Sequence, residues 1–223
     1  MGESIAVLSS GGLDSCALLI DMAMQGKVHP IYVQNGFIWE KAELKALDAF
    51  LQALHNPNIQ PITALSLPMG PLYGDHWSLT GRGIPREDDP DSKTYLPGRN
   101  VVLLSVAAVW CGVHHVPRIA IGTLFNNPFA DATMDFFEQF GSTLSAGLGF
   151  QIRIEAPFRQ SRKKEDLLRT HQNLPLGLSL SCMAPQEGRH CGHCNKCHER
   201  QVAYKRAGMV DPTVYAKREE PWN

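Results

Sequence analysis

The 223-residue sequence has no excess of charge of either sign, since 21 lysines and arginines balance 22 acidic residues and the formal net charge is −1. This balance argues against a chain whose main work is to wrap nucleic acid, so we predict no stable nucleic-acid partner. No apolar run approaches the length of a membrane span, and we expect no membrane association. Internal repeats and low-complexity tracts are absent as well.

The N-terminal residues also lack the pattern of an export signal. Residues 1–10 form a short apolar stretch that runs directly into a glycine turn. We therefore expect a cytoplasmic protein, in a reducing compartment where clustered thiols are more often metal ligands than disulfides. The length and the hydrophobic content of 43% indicate one substantial core with at most a small appendage.

Four of the six cysteines cluster near the C-terminus in the pattern C-x8-C-x2-C-x2-C. They are Cys182, Cys191, Cys194 and Cys197. Two C-x-x-C turns that share a cysteine, with a fourth thiol one loop upstream, can place four sulfurs around one tetrahedral ion at about 2.3 Å. We predict structural Zn²⁺, because four thiolates leave no open position for a catalytic water; a redox disulfide and an iron–sulfur cluster stay open as alternatives.

The rest of the chain alternates between strand-like and helix-like segments. This alternation predicts an α/β fold with a parallel sheet covered on both faces. We expect strands at 5–9, 29–33, 59–67, 118–124 and 152–157, and helices at 15–24, 39–54, 100–111, 131–148 and 161–170, the last capped by Ser161. Residues 69–96, rich in Gly, Pro and Asp, are expected to be irregular.

These elements suggest two parts, an ATP-binding α/β domain over residues 1–170 and a C-terminal zinc-binding helical segment over 171–223. In parallel sheets, ligands bind beyond the carboxyl ends of the strands. The loops that follow Ser9, Val33 and Gly122 are therefore expected to lie on one rim.

The first of these loops reads S-G-G-L-D-S over residues 10–15. Two glycines allow a sharp turn whose N–H groups approach a ligand, and the helix that follows favours an anion at its N-terminus. The patterns G-x-x-x-x-G-K-[ST] and G-x-G-x-x-G are both missing. The loop resembles the PP-loop of the ATP pyrophosphatase superfamily, which has an adenine nucleotide alpha hydrolase-like, Rossmann-like fold. That resemblance implies ATP binding, pyrophosphate release and an adenylated intermediate.

Further motifs narrow the resemblance to the 7-cyano-7-deazaguanine synthase family. The chain contains P-G-R-N at 97–100 before an apolar helix, and Lys163 and Glu165 where the family has a T-K-x-E helix start. The cysteine tail, with C-G-H-C-N-K-C at 191–197 followed by E-R at 199–200, matches as well. The resemblance implies a ligase that uses ATP, Mg²⁺ and ammonia to convert 7-carboxy-7-deazaguanine into its nitrile. Together with the apolar run at 101–111, it also suggests a homodimer.

Site residues follow from these motifs as expectations. Asp14, Arg99 and Lys163 are the candidate catalytic residues, and Trp39, Arg99, Asn126 and Asp131 are candidates for substrate binding. Arg99 could instead cap its own loop against Asp89 or Asp91, and Trp39 could simply belong to the core. The candidates for binding ATP are Ser9, Ser10, Gly11, Gly12, Leu13, Asp14, Ser15 and Cys16.

One segment departs from the family and leaves the substrate open. Where the family usually carries D-C-R-P-E-F, residues 131–136 read D-A-T-M-D-F, so the arginine that could pair with an anion is missing. We therefore keep three alternatives: a paralogue that adenylates another carboxylate, a tRNA-modifying enzyme of the thiolase type, and a zinc-ribbon binding module. Release of AMP and pyrophosphate, with or without ammonia or tRNA, discriminates among them.

Overall fold

Five parallel strands form the central sheet of the computed structural model, which describes residues 3–160 and 162–216. The strand order is β3-β2-β1-β4-β5, and every neighbouring pair is parallel. The α/β parallel-sheet prediction is confirmed. The strands are β1 (Ile5–Leu8), β2 (Val28–Gln34), β3 (Thr63–Ser66), β4 (Arg118–Ala120) and β5 (Arg153–Glu155).

Helices cover both faces of the sheet. They are α1 (Leu13–Ala23), α2 (Glu40–Leu54), α3 (Gly70–Tyr73), α4 (Trp77–Thr80), α5 (Arg99–His114), α6 (Met134–Leu148), α7 (Lys164–Thr170) and α8 (Asn195–Ala207). Short 3₁₀ turns lie at Asp91–Thr94, Ala130–Ala132 and Leu176–Leu178.

The alternation of side chains along β1 divides the core into two layers. Ile5 and Val7 pack in the layer that contains α1, while Ala6 and Leu8 pack against α5 on the opposite face. All four side chains are buried because β1 is the central strand and successive residues of a strand point to opposite faces.

Several predicted boundaries are wrong by a few residues. The helix expected from residue 131 begins at Met134, because Thr133 accepts a hydrogen bond from the Phe136 N–H at 3.1 Å and caps it. The helix expected from residue 161 begins at Lys164, and Ser161 lies outside the described residues. Residues 69–96 are largely irregular, as predicted, but contain two single-turn helices.

The C-terminal part contributes to the same core as the sheet. Leu176, Ala203 and Tyr204 pack in one cluster with residues of α1 and β1. The guanidinium of Arg200, fully buried, donates to the Ser179 hydroxyl at 2.9 Å and the Leu176 carbonyl at 2.8 Å. The division into domains at residue 170 stays a prediction.

The sheet topology positions a crevice at the carboxyl end of β1. From β1 the chain continues to β2 on one side, while β4 pairs with β1 on the other side. Ligands of open α/β sheets bind where the connections diverge in this way. No helix within the described ranges is long and apolar enough to cross a membrane.

Candidate functional site

A cleft of about 330 Å³ opens at the carboxyl ends of β1, β2 and β4. Its walls come from the loops after these strands, from the start of α5 and from the C-terminal segment. The polar residues that line it include Ser9, Ser10, Asp14, Ser15, Asn35, Glu40, Glu43, Arg99, Asn100, Asn126, Asp131, Lys164, Ser181, Lys196 and Glu199.

The S-G-G-L-D-S loop forms one end of the cleft. Gly12 is the N-cap of α1, and its N–H donates to the Ser10 hydroxyl at 3.3 Å. The Ser15 hydroxyl donates to the Gly12 carbonyl at 3.0 Å. These short bonds hold two hydroxyls and the first N–H groups of an 11-residue helix at one spot, which is the arrangement that binds phosphate oxygens.

Five of the eight predicted ATP-binding residues line the cleft, namely Ser9, Ser10, Gly12, Asp14 and Ser15. Gly11, Leu13 and Cys16 are not among the lining residues. Leu13 and Cys16 point into the core, where burial raises the pKa of the Cys16 thiol. Their side chains belong to packing, because α1 must bury one face against the sheet.

Two glycines let the loop approach neighbouring backbone. Gly11 has a φ of +75°, and a Cβ built there would lie 2.8 Å from the Glu43 carbonyl oxygen of α2. A Cβ on Gly122, after β4, would lie 3.3 Å from the Asp14 carbonyl oxygen. The loop is therefore closely flanked on both sides, and only glycine fits at position 11 without strain.

Behind the loop lies a chain of alternating charges. The Lys164 ammonium is 3.4 Å from Asp14 Oδ2 and 2.8 Å from Glu199 Oε1. Lys196 reaches the other oxygen of Glu199 at 2.8 Å. Because Lys164 is buried, each carboxylate compensates for the loss of its hydration.

The pKa shifts in this chain follow from burial and pairing. Burial would lower the pKa of Lys164, but the carboxylates of Asp14 and Glu199 outweigh it and raise that pKa. Burial opposes ionisation of Glu199, yet Lys164 and Lys196 hold its pKa well below the ordinary value. For Asp14, burial prevails over the attraction of Lys164 and the pKa is raised. Asp14 Oδ1 is buried and has no hydrogen-bond partner among the described residues.

Of the two adjacent lysines, Lys164 lines the cleft and the predicted Lys163 does not. Lys163 is exposed at the N-cap of α7 and is not among the lining residues. The Lys163 N–H donates to the Asp166 carboxylate at 3.2 Å, so Asp166 is the acidic N3 residue of a capping box. The structure thus brings Lys164 into the cleft and leaves Lys163 outside it, while a catalytic role for Lys163 stays a prediction.

Arg99 lies in the cleft, as predicted, at the first residue of α5. Its guanidinium carbon is 5.9 Å from the centre of the Phe37 ring, and Nε has no hydrogen-bond partner among the described residues. Asp89 pairs with Lys93 instead, and the Asp91 carboxylate accepts from Asn195 at 3.2 Å. Arg99 thus forms no salt bridge within the described part of the chain, although its charge lowers the pKa of the nearby Glu43 carboxyl.

Trp39 belongs to an aromatic wall. Its ring stacks on Phe37 at 5.0 Å and on Trp77 at 5.6 Å between centroids, and all three residues line the cleft. Trp39 is 4% exposed, so its side chain packs in the core and also forms part of the cleft wall. Trp77 comes from the segment at 69–96, which the sequence did not connect with the site.

Glu43 is a cleft residue that sequence analysis missed. Its carboxylate Oε2 accepts from the Tyr32 hydroxyl at 2.8 Å. Burial raises the pKa of Glu43 to about 7, although Arg99 and the Tyr32 hydrogen bond lower it in part. A glutamate on an amphipathic helix ordinarily faces water, so its residue type gave no indication of burial. The one available signal was its position one turn after Trp39, the N-cap of α2.

Asn126 and Asp131 both line the cleft, on the loop between β4 and α6. The Asp131 carboxylate also accepts from the Asn100 N–H at 3.0 Å, so it caps α5 beside Arg99. Arg159 holds this loop from outside. It donates to the carbonyls of Ala132 at 2.7 Å and Asn127 at 3.3 Å, and also to that of Phe125.

The four C-terminal cysteines converge on one point. Their Sγ atoms all lie within 4.8 Å of one another, and each residue is buried. Cys191 and Cys197 Sγ are 3.8 Å apart. This separation equals the edge, about 3.8 Å, of a tetrahedron with bonds of about 2.3 Å. The cluster is a candidate site for one metal ion.

The histidines around the cluster are occupied elsewhere. His190 Nε2 accepts from the Ser181 N–H at 2.9 Å, and burial lowers the pKa of His190 to about 4, so the ring is neutral. His193 Nδ1 contacts the Cys191 carbonyl at 2.9 Å. Both fix backbone next to the cysteines.

The cysteine segment is bonded directly to the S-G-G-L-D-S loop. The Leu180 N–H donates to the Gly11 carbonyl at 2.8 Å, and the Leu13 N–H donates to the Ser181 hydroxyl at 3.4 Å. On its other side, the Asn195 N–H donates to the Pro85 carbonyl at 3.0 Å. The candidate metal site and the cleft are therefore parts of one bonded unit.

Comparison with known proteins gives one consistent result. The family model described as "Queuosine biosynthesis protein QueC" matches residues 4–208. A 7-cyano-7-deazaguanine synthase of Methylobacillus flagellatus is 32% identical over 97% of this chain and 97% of its own length. The corresponding synthase of Thiobacillus denitrificans is also 32% identical, over 95% of this chain and 97% of its own.

Solved structures support the fold alone. The U34-tRNA thiolase NcsA of Methanococcus maripaludis, described with its [4Fe-4S] cluster, has a TM-score of 0.50 and 14% sequence identity. The match covers 92% of this chain and 68% of that chain.

Proposed function

Because this chain belongs to the QueC family of queuosine biosynthesis proteins, we propose that its cleft converts 7-carboxy-7-deazaguanine, ammonia and ATP into 7-cyano-7-deazaguanine. The enzyme is a ligase that forms C–N bonds with ATP. The observation that supports this cleft as the active site is the S-G-G-L-D-S loop, which meets three cationic side chains and an aromatic wall there.

The chemistry requires two activations by ATP. A substrate carboxylate oxygen attacks the α-phosphorus, pyrophosphate leaves, and an acyl-adenylate forms. Ammonia replaces AMP and loses a proton, which gives the amide. The amide oxygen then attacks a second α-phosphorus, with loss of pyrophosphate and a proton. Elimination of AMP with the last N–H proton leaves the nitrile. No enzyme nucleophile is needed, so the protein acts by positioning and charge neutralisation.

We assign the triphosphate to the loop at the start of α1. The hydroxyls of Ser10 and Ser15 and the N–H groups after Gly12 would bind phosphate oxygens. Lys164, in place of the exposed Lys163, would hold Asp14 behind the loop, and the charges of Lys164 and Lys196 are shared with Asp14 and Glu199. Arg99 is the cation for the substrate carboxylate or the α-phosphate, because its charge lacks an ion-pair partner in the described part of the chain.

Mg²⁺ fits the free oxygen of Asp14. Magnesium in nucleotide sites is usually held by one or two carboxylates and the phosphates themselves. Asp14 Oδ1 is buried without a partner at the end of the cleft that would hold the phosphates. When bound, the ion would neutralise phosphate charge. The Asp14 carboxylate would hold it, while Lys164 keeps that carboxylate in place.

We propose Zn²⁺ for the four cysteines. The 3.8 Å contact between Cys191 and Cys197 Sγ suits a single tetrahedral ion. A [4Fe-4S] cubane binds each cysteine through a different iron and therefore holds the sulfurs farther apart. The four thiolates leave no vacant position, so the role is structural. None of the six cysteines forms a disulfide, so the four thiolates are available to a metal ion. We propose a cytoplasmic location for the protein.

We also propose a homodimer. The outer face of α5 carries Val109 and Val113, which are 54% and 70% exposed. A neighbouring copy that covers this face would remove apolar surface from water. Sedimentation of the purified protein at micromolar concentration tests this, and a monomer mass would refute it.

The decisive experiment is mass spectrometry of products. The purified protein is incubated with 7-carboxy-7-deazaguanine, ammonium and MgATP, and AMP and pyrophosphate are measured in parallel. We expect the nitrile mass and two AMP per nitrile. Turnover that requires tRNA would favour a thiolase-type enzyme. AMP release with a different carboxylate, and none with 7-carboxy-7-deazaguanine, would favour a paralogue that adenylates that carboxylate.

A further inference from the structure

The cleft contains an acidic side chain that the phosphate chemistry does not use. Glu43 lies among the aromatic residues Phe37, Trp39 and Trp77 on the cleft wall. Phosphate groups of a bound triphosphate would repel a nearby carboxylate. The Glu43 carboxylate therefore needs a ligand group that is positively charged or donates hydrogen bonds. Trp77, which is half-buried and lines the cleft, offers an aromatic surface against which a flat ring can pack.

Only one of the two carboxylate oxygens of Glu43 accepts a hydrogen bond within the described part of the chain. Tyr32 donates to Oε2, and the described residues provide no hydrogen-bond donor for Oε1. The charged groups that face it are Arg99 from α5 and Glu40 from the same helix, with Tyr32 from β2 beneath. Glu40 itself accepts from the N–H groups of Asn35 and Gly36, so it is committed to the loop after β2. Glu43 therefore retains acceptor capacity toward the cleft.

We propose that Glu43 recognises the 2-aminopyrimidinone edge of the deazaguanine and so determines the choice of ring. That edge presents two adjacent donors, the ring N1–H and the exocyclic amine. A carboxylate accepts from both, as it cannot from adenine, whose corresponding edge pairs one donor with one acceptor. The inference rests on the proposed function and specifies which residue selects its substrate.

The backbone around Glu43 places this recognition close to the site of adenylation. The Glu43 carbonyl oxygen would be 2.8 Å from a Cβ at Gly11, so the first turn of α2 touches the phosphate-binding loop. A ring held by Glu43 and stacked on the aromatic wall thus lies beside the bound triphosphate. The substrate carboxylate would then lie in the same cleft as the α-phosphorus, with the Arg99 guanidinium 5.9 Å from the centre of the Phe37 ring.

The test combines a change in the protein with a change in the ligand. Wild type and Glu43→Gln are assayed with 7-carboxy-7-deazaguanine and with the analogue in which hydrogen replaces the 2-amino group. We expect a 10–100-fold rise in KM when either the carboxylate charge or the amine is removed, and little further rise when both are removed. Asp48→Asn, which also converts a carboxylate to an amide but at an exposed position of α2, should leave KM unaltered.

The outcomes distinguish substrate recognition by Glu43 from a role as general base and from adenine binding. A Glu43→Gln variant whose kcat falls equally with both ligands would make Glu43 a general base and overturn the inference. A rise in KM for ATP alone would assign Glu43 to adenine and overturn it too. If Glu43→Gln does not fold, wild type alone decides, because equal KM values for the two ligands contradict the proposal. A wild type that makes no nitrile at all refutes the proposed function, and the inference falls with it.

Discussion

At the scale of single residues, the site depends on charges that neutralise one another away from water. Lys164 joins the carboxylate of the phosphate-binding loop to that of α8, over 3.4 Å to Asp14 and 2.8 Å to Glu199. Removing one member of such a buried set leaves uncompensated charge, which costs more than the pair itself contributes. The lysine therefore supports both folding and the anion-binding region.

Lys164→Met is expected to lower the free energy of unfolding by about 3 kcal/mol, because Asp14 and Glu199 lose their common partner. ATP affinity should fall as well. Urea unfolding and calorimetric titration with ATP measure the two effects. Lys163→Met is the matched control and should change stability by less than about 0.5 kcal/mol. Equal behaviour of the two variants would show that Lys164 is not the lysine of the site.

Glu43→Gln gives a prediction for pH dependence of stability. Burial raises the pKa of Glu43 from 4.5 to about 7, so the folded state resists ionisation there. The contribution of Glu43 to the free energy of unfolding is therefore fully present below pH 4.5 and is lost as pH rises through 7. We expect the variant to be more stable by roughly 1 kcal/mol at pH 8, after allowance for solvent screening, with no gain below pH 4.5. A gain that is independent of pH would point to packing instead.

The sequence predicted part of the site at this scale. Motif residues such as Asp14 and Arg99 lie in the cleft because the loop and the helix start that carry them are locally encoded. The resemblance to T-K-x-E pointed to Lys163. In the structure the bond from the Lys163 N–H to Asp166 places Lys163 at the exposed start of α7, and the neighbouring Lys164 is buried in the cleft. Glu43 was missed because burial of an acidic side chain depends on tertiary contacts.

At the scale of elements, the turn before α1 depends on glycine. Gly11→Ala places a Cβ against the Glu43 carbonyl oxygen in a left-handed backbone, and should cost about 1–3 kcal/mol and weaken ATP binding. Thermal unfolding and nucleotide titration test this. Gly147→Ala, in α6 with open space around it, should instead stabilise by about 0.5–1 kcal/mol. A neutral Gly11→Ala would mean that α2 moves away easily.

The cysteine cluster fixes the start of α8, which carries Lys196 and Glu199 into the cleft. Cys194→Ser should therefore lose the metal, lower the melting temperature and reduce soluble yield. Metal content by atomic emission and calorimetry measure this. Cys111→Ser, at a buried cysteine outside the cluster, should keep one metal ion per chain. A Cys194→Ser protein that folds normally and loses only turnover would refute the structural role.

Element types were predicted better than element ends. The strand expected to reach residue 124 ends at Ala120. The prediction was too long because hydrophobic residues such as Ile121 and Leu124 follow the strand, where they line the rim of the cleft. Periodicity records burial and does not distinguish a paired strand from a buried loop. The short helices within 69–96 were not predicted, since single turns have little periodicity.

At the scale of the whole molecule, the order of strands brings the site together. Strand–helix alternation predicted a parallel sheet, and the rule for its carboxyl edge placed the rim loops correctly. The sequence did not indicate that residues 77–96 and 180–199 would close the same cleft. Those contacts join segments about 100 residues apart through backbone bonds such as that from Asn195 to Pro85, and no local pattern encodes them.

Arg159 has a consequence for divergence within the family. A loop that is shaped by three carbonyls bound to an outside guanidinium does not need to encode that shape in its own side chains. Within residues 131–136, the carbonyl of Ala132 is held in this way whatever its side chain is. Replacement of Arg159, downstream of β5, would therefore release Phe125, Asn127 and Ala132 together.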